Sequence, residues 1–159
     1  MVILTRAFYF LLINFSVFLS VHCFSAVELE EITPLLGKYK VESIERYGGG
    51  LTTKQQAWKR VGSDATLSNE VICILDIKIV NPIFKFVEYP KSLEGNIPEI
   101  KLSNFYGIGL NRQKIKVLSV FEPEDTGDEP LIRLEVIGDR ILFLFDGWAY
   151  TLRKNDSNK

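Results

Sequence analysis

The chain predicts an all-β domain: a small antiparallel barrel or closed meander of seven to nine strands, with one short helix after the first strand and a signal peptide ahead of it. Three observations predict it. The C-terminal third alternates apolar and polar residues around two two-residue turns, Gly138-Asp139 and Asp146-Gly147, and such dipeptides between alternating runs are strong hairpin signals. From Ala65 onward, short strand-like runs follow one another with no helices between them, which argues against a βαβ fold. A single helical pattern, near Thr53 to Gly62, stands apart from these runs. Closing such a sheet also removes its exposed edges.

The first twenty-five residues predict export. Arg6 is the only charge before Glu28, an apolar stretch runs from Ala7 to Val21, and small residues follow at Cys23, Ser25 and Ala26. This order is that of a secretory signal peptide. Cleavage after Ser25 places small residues at both recognition positions; lipidation of Cys23 and an uncleaved anchor are the alternatives. The apolar stretch is short for a membrane span, which needs about 20 residues. Without residues 1–25 the 159-residue chain keeps 134 residues, and losing Arg6 takes the net charge from −1 to −2. A weakly acidic domain offers no positive field to a phosphate backbone, so nucleic acid is not an expected partner. A membrane is expected only if Cys23 is lipidated or the signal stays uncleaved.

Each element has its own signal. Residues 26–36 form an acidic lead-in that Pro34 keeps from being one continuous helix. Lys38 to Tyr47 reads as a strand, with Tyr39, Val41 and Ser43 on one side, Lys40 and Glu42 on the other, and a slip in register near Ile44. Gly48-Gly49-Gly50 reads as a turn; no Lys-Ser/Thr follows at phosphate-loop spacing. Thr53 and Gln56 stand at capping-box spacing, Ala57, Trp58 and Val61 form an apolar stripe, and Gly62 follows as a stop. A helix this short must dock to be stable, and Trp58 is the expected anchor. Val71 to Val80 reads as one long strand, Asn81-Pro82 as punctuation, and Ile83 to Tyr89 as the next strand. Pro90 to Pro98 reads as a loop and Lys114 to Phe121 as a strand. Leu131 to Ile137, Arg140 to Phe145 and Trp148 to Leu152 form the meander, with Ile132, Leu134 and Val136 inward and Arg133 and Glu135 outward. The folded domain spans residues 37–154, and residues 155–159 are a polar tail.

Two resemblances follow from these residues. Gly37-Lys38-Tyr39-Lys40-Val41 resembles the opening of lipocalins, with Tyr39 where that family has Trp, and a helix after the first strand is similar to fatty-acid-binding proteins, which carry two there. Ala57-x-x-x-Val61-Gly62, Leu67-Ser68 and Asn81-Pro82-Ile83-Phe84 resemble a pattern in small exported bacterial proteins of unassigned function. Both imply a compact β-barrel-like domain; the first implies a small apolar ligand inside it.

The chemical inventory is narrow. Once His22 leaves with the signal, Ser-His-Asp, Cys-His and His-Cys zinc arrangements are excluded. Cys73, amid Val71, Ile72, Ile74 and Leu75, is expected to be an inert buried thiol. Asp76 and Glu88 are read as outward-facing strand residues and not as a glycosidase pair. No cofactor and no metal site is expected. Between Glu122 and Pro130 stand five acids, Glu122, Glu124, Asp125, Asp128 and Glu129, without the ordered spacing of a calcium loop. Phe105 and Tyr106 lie between Ser103-Asn104 and two glycines. Those two aromatics and five acids are the expected partner-binding residues. The expected function is that of a non-enzymatic, exported (periplasmic or secreted) envelope protein: a protein-binding module of inhibitor or immunity type that takes a basic partner. The alternative is a lipocalin-like carrier of a small apolar ligand.

Overall fold

The computed structural model describes residues 30–90, 102–108, 111–124 and 129–155. The expected signal peptide, the first four residues of the acidic lead-in, the Pro90–Pro98 loop beyond its first residue, Asp125, Asp128 and all but the first residue of the tail lie outside them. The chain divides into two compact units, Met1–Pro34 and Leu35–Lys159. The second carries nine strands: β1 (Gly37–Arg46), β2 (Asp64–Leu67), β3 (Val71–Ile74), β4 (Ile77–Val80), β5 (Ile83–Pro90), β6 (Lys114–Phe121), β7 (Ile132–Ile137), β8 (Arg140–Phe145) and β9 (Trp148–Lys154). One helix, α1 (Lys54–Lys59), follows β1, and a 3-10 turn spans Ser103–Tyr106.

All nine strands join one sheet in the order β4-β3-β2-β1-β9-β8-β7-β6-β5, with antiparallel neighbours throughout. The first and last strands therefore lie side by side at its centre. Its two edges, β4 and β5, are consecutive in the chain and joined only by Asn81-Pro82. Eight steps of about 4.8 Å would set the edges of a flat nine-stranded sheet roughly 38 Å apart. Three Cα steps of about 3.8 Å hold Val80 and Ile83 within about 11 Å. The sheet must curl, and it forms a half-barrel. Its edges are tied by chain connection: no pairing joins β4 to β5 among the described residues.

The concave face carries the core. Cross-strand partners align Ile44, Tyr150, Phe143, Leu134, Leu118 and Phe86 in one row across six strands, and its four central members are buried. Leu67, Ile72 and Ile79 continue the core on the other side. Tyr39 is buried with them; its hydroxyl donates to the Leu35 carbonyl at 2.6 Å, and burial pushes its pKa up to about 12.

The C-terminal meander runs as the alternation predicts, through two two-residue turns. Asp146 and Gly147 both take positive φ, 46° and 79°, the backbone of the twist-matched hairpin turn. The helix has its capping box: the Thr53 hydroxyl accepts from the Gln56 amide, and the Gln56 side chain accepts from the Thr53 amide at 2.8 Å.

Several expectations need correction. Val71 to Val80 is not one strand but a hairpin that turns at Leu75-Asp76, with Leu75 at φ 54°; a left-handed leucine carries no turn signal. The slip in β1 falls at Glu42, a bulge between Val41 and Ser43, so Ile44 and not Ser43 turns inward. Trp58 is not the helix anchor: it is 56% exposed, while Ala57 is fully buried and holds the helix down. Glu135 is on the convex face as expected but only 2% exposed, because the Ser103–Tyr106 turn covers it there. Val136 is only half-buried, and Cys73, on the convex face of β3, is also half-buried.

Candidate functional site

The registers fix which loops share an end of the sheet. Arg46 pairs with Trp148, Trp148 with Phe145, Val120 with Ile132 and Ile83 with Phe121. The chain leaving β1, the β8–β9 turn, the β6–β7 loop and the start of β5 therefore all lie at one end. The exposed large apolar side chains Leu51, Trp58, Ile83, Phe105 and Leu131 lie in or beside these segments, and Val80, paired with Val71 at the other end of its own ladder, comes next to Ile83 through Asn81-Pro82. Monomeric domains seldom gather exposed apolar side chains in one place unless that surface docks against something.

Leu51 is held out by design of the backbone around it. The Asp146 carboxylate accepts from the Leu51 amide at 2.8 Å, the Thr52 amide at 2.6 Å and the Thr52 hydroxyl at 2.5 Å. The Thr52 carbonyl in turn accepts from the Trp148 indole at 2.9 Å and from Arg46 at 3.1 Å. Arg46 also lies over the Trp148 ring at 4.9 Å. The Thr52 hydrogen bond, ahead of the Leu51 amide, holds the Asp146 carboxyl below its usual value. Gly50 and Gly147 make this fit possible. A side chain at Gly50 would strike the backbone of Asp146, and one at Gly147 would meet Gly48 and Gly49 at 2.7–2.9 Å. They allow close backbone approach, not anion binding. Thr52 is thus fixed while Leu51 stands 93% exposed. Beside it opens a groove of about 590 Å³ lined by Ile44, Glu45, Arg46, Lys54, Trp58 and Trp148.

The acidic side of this end lies on β4–β7. Ile83, Phe121 and Leu131 stand in one row on the convex face, the first and last exposed. Glu122, Glu124 and Glu129 are exposed around them, and Glu122 and Glu124 line a cleft of about 330 Å³ with Lys78 and Val80 of β4. Lys85 and Arg133 flank the row on its far side. An apolar centre inside a charged rim is the ordinary anatomy of a protein interface.

Phe105 and Tyr106 belong to the same end but make different contacts. They meet each other edge to face at 5.1 Å, and Tyr106 packs on Tyr47 at 4.4 Å. Their turn is pinned to β7 through a buried cluster: the Ser103 amide and hydroxyl each donate to Glu135 at 2.6 Å, and Arg112 pairs with the same carboxylate at 2.9 Å and donates to the Ser103 hydroxyl. The cluster is a clasp between a loop and a strand. Its serine is fully buried, out of reach of a substrate.

The carboxylates weighed for chemistry each have their own cation. Asp76, in the β3–β4 turn, pairs with Arg60 at 2.5 Å. Glu88 lies between Lys114 and Lys116 at 2.9 and 3.0 Å, and the Lys114 hydrogen bond, first among its causes, holds its pKa below the usual value. That is the opposite of what a general acid requires. Among the described residues no group of three or more His, Cys, Asp or Glu side chains could hold a metal ion, and no helix is long and apolar enough to cross a membrane. A further cleft, about 190 Å³, opens where β7 and β8 part beyond the Leu134–Phe143 pair; Ile77, Leu131, Arg133 and Phe145 line it. No protein family, curated protein or solved structure matches the chain.

Proposed function

We propose that this chain is a non-enzymatic protein-binding module of the inhibitor or immunity type, exported to the cell envelope, which docks a basic partner on the acidic corner of its apolar end. The observation that carries the reading is the gathering of Val80, Ile83 and Leu131, half-exposed, among Glu122, Glu124 and Glu129. Export rests on the Arg6, apolar-run, small-residue order of the N-terminus. The carrier reading has less support. The four central side chains of the concave row are buried, and the β7–β8 cleft holds only about 190 Å³.

The test is capture from the envelope fraction followed by binding kinetics on two variants. Glu122→Gln with Glu124→Gln and Glu129→Gln should slow association with a basic partner, and the loss should shrink as salt rises, because exposed charges are screened over about 8 Å at physiological ionic strength. Ile83→Ser with Leu131→Ser should act mainly on dissociation, as loss of apolar anchors does. If neither set changes binding, the docking surface is elsewhere.

A further inference from the structure

The apolar end carries both signs of charge. Opposite the acidic corner, the groove beside Leu51 presents Arg46 and Lys54, with Lys59 exposed on the same helix, and no ion pair engages either lysine among the described residues. Among the described residues Glu45 is the acid that lines the groove, and the Asp146 carboxylate on its rim is taken up by the Leu51 and Thr52 amides and the Thr52 hydroxyl. Its walls include two indoles, Trp58, more than half exposed, and Trp148, buried. Its rim is the Asp146-braced loop, which holds Leu51 out in water instead of letting it fold back. An aromatic-walled, cation-flanked groove with a fixed rim is preorganised for a ligand, and little ordering remains to oppose binding.

We infer that this groove is a second docking surface, for an extended acidic polypeptide segment that carries an apolar anchor. The anchor lies between Trp58 and Leu51, and flanking carboxylates face Arg46, Lys54 and Lys59. Charge decides between this occupant and an anionic bilayer. Glu122, Glu124 and Glu129 leave the same end of the sheet, so a flat anionic surface brought to the lysines would also meet the acids, whereas a peptide segment contacts the groove alone. The partner of the proposed module is accordingly bipolar: basic toward the β6–β7 loop and acidic toward α1. This extension rests on the protein-binding reading, but its test does not use the acidic corner.

The experiment follows the Trp fluorescence of the full chain during titration with three synthetic peptides: glutamates flanking a central Leu-Phe pair, the same peptide with lysines for glutamates, and the acidic peptide with serines for the pair. The first should shift Trp58 emission to the blue and bind more weakly as salt rises; the other two should bind markedly less. Lys54→Glu with Lys59→Glu should weaken the first peptide at least about tenfold, because reversing both cations turns attraction into repulsion at close charge pairs. Leu51→Ser should weaken it too, and Glu122→Gln with Glu124→Gln should leave it unchanged. All of these positions are exposed, and circular dichroism checks that each variant keeps its fold. The inference is overturned if the lysine peptide binds as well as the acidic one, or if the double lysine reversal has no effect. It is also overturned if vesicles of phosphatidylcholine and phosphatidylglycerol shift Trp58 while the acidic peptide does not, or if the chain sediments as a dimer that the reversal dissociates, which would make a second copy the occupant. Failure of the peptide with intact loss of partner binding in the acidic-corner variants removes the second surface and leaves the first.

Discussion

Glu135 shows how far one residue's role can lie from its pattern. Strand alternation puts it opposite Leu134 and Val136, and that much is legible. Its burial is not, because the residues that cover and satisfy it, Ser103 and Arg112, are 32 and 23 positions away in the sequence. Glu135→Ala leaves the Arg112 guanidinium in a site where its side chain is only 15% exposed, and breaking a pair so placed costs about 3–5 kcal/mol. Glu135→Gln keeps an acceptor for the Ser103 amide and should cost less. Thermal melts of the two variants check this; equal losses would show that the charge pair contributes nothing beyond the hydrogen bond. Trp58 departs from its pattern for a related reason. Its stripe position is helical, but Ala57 is the residue that meets the sheet, and the small side chain lets the helix approach closely enough to leave the indole outside.

At the scale of elements, local chemistry decided what could be foreseen. Asp146-Gly147 and Thr53-x-x-Gln56 declare a turn and a cap by themselves. Leu75-Asp76 declares nothing, so the β3–β4 hairpin read as one strand. Leu51 was equally silent: a single leucine after three glycines has no periodicity, and what exposes it is a carboxylate 95 residues away. That brace makes the loop pH-dependent. Asp146 has a lowered pKa when folded, relative to an ordinary value of 3.8. Its contribution is therefore present in full above about that pH and is lost as the pH falls through the lower, folded value. NMR shifts of the Leu51 and Thr52 amides should hold constant down to the ordinary aspartate range and move together below it. Movement at higher pH would mean that another group controls the loop.

For the whole molecule, the question is what holds the curl where no ladder closes it. Arg60 reaches from the end of α1 into the mouth. It donates to the Tyr150 hydroxyl at 3.0 Å, pairs with Asp76 of the β3–β4 turn, and lies 5.9 and 5.7 Å from the Phe145 and Tyr150 rings. It thus ties β8 and β9 to the hairpin that forms one edge. The two partners of this latch are unequal, since Tyr150 is fully buried and Asp76 is largely exposed. Arg60→Ala takes a partner from a buried hydroxyl and should cost about 1–3 kcal/mol. Asp76→Ala breaks a surface pair and should cost under about 1 kcal/mol. Denaturant melts that rank them the other way would place the strength of the closure in the ion pair. The barrel-like class was legible because strand runs and turns are local; the curl without pairing was not, because it depends on which strands are neighbours.

The central place of β9 has a consequence for how the chain is made. Trp148–Lys154 lies between β1 and β8, so until these last seven strand residues leave the ribosome the sheet exists only as two disconnected halves, β4-β3-β2-β1 and β8-β7-β6-β5. Each half has an open edge where β9 belongs, and contacts between distant ends of a chain form late. A chain cut before Trp148 is therefore not a slightly shortened domain but one divided through its middle, with two unpaired strand edges facing solvent.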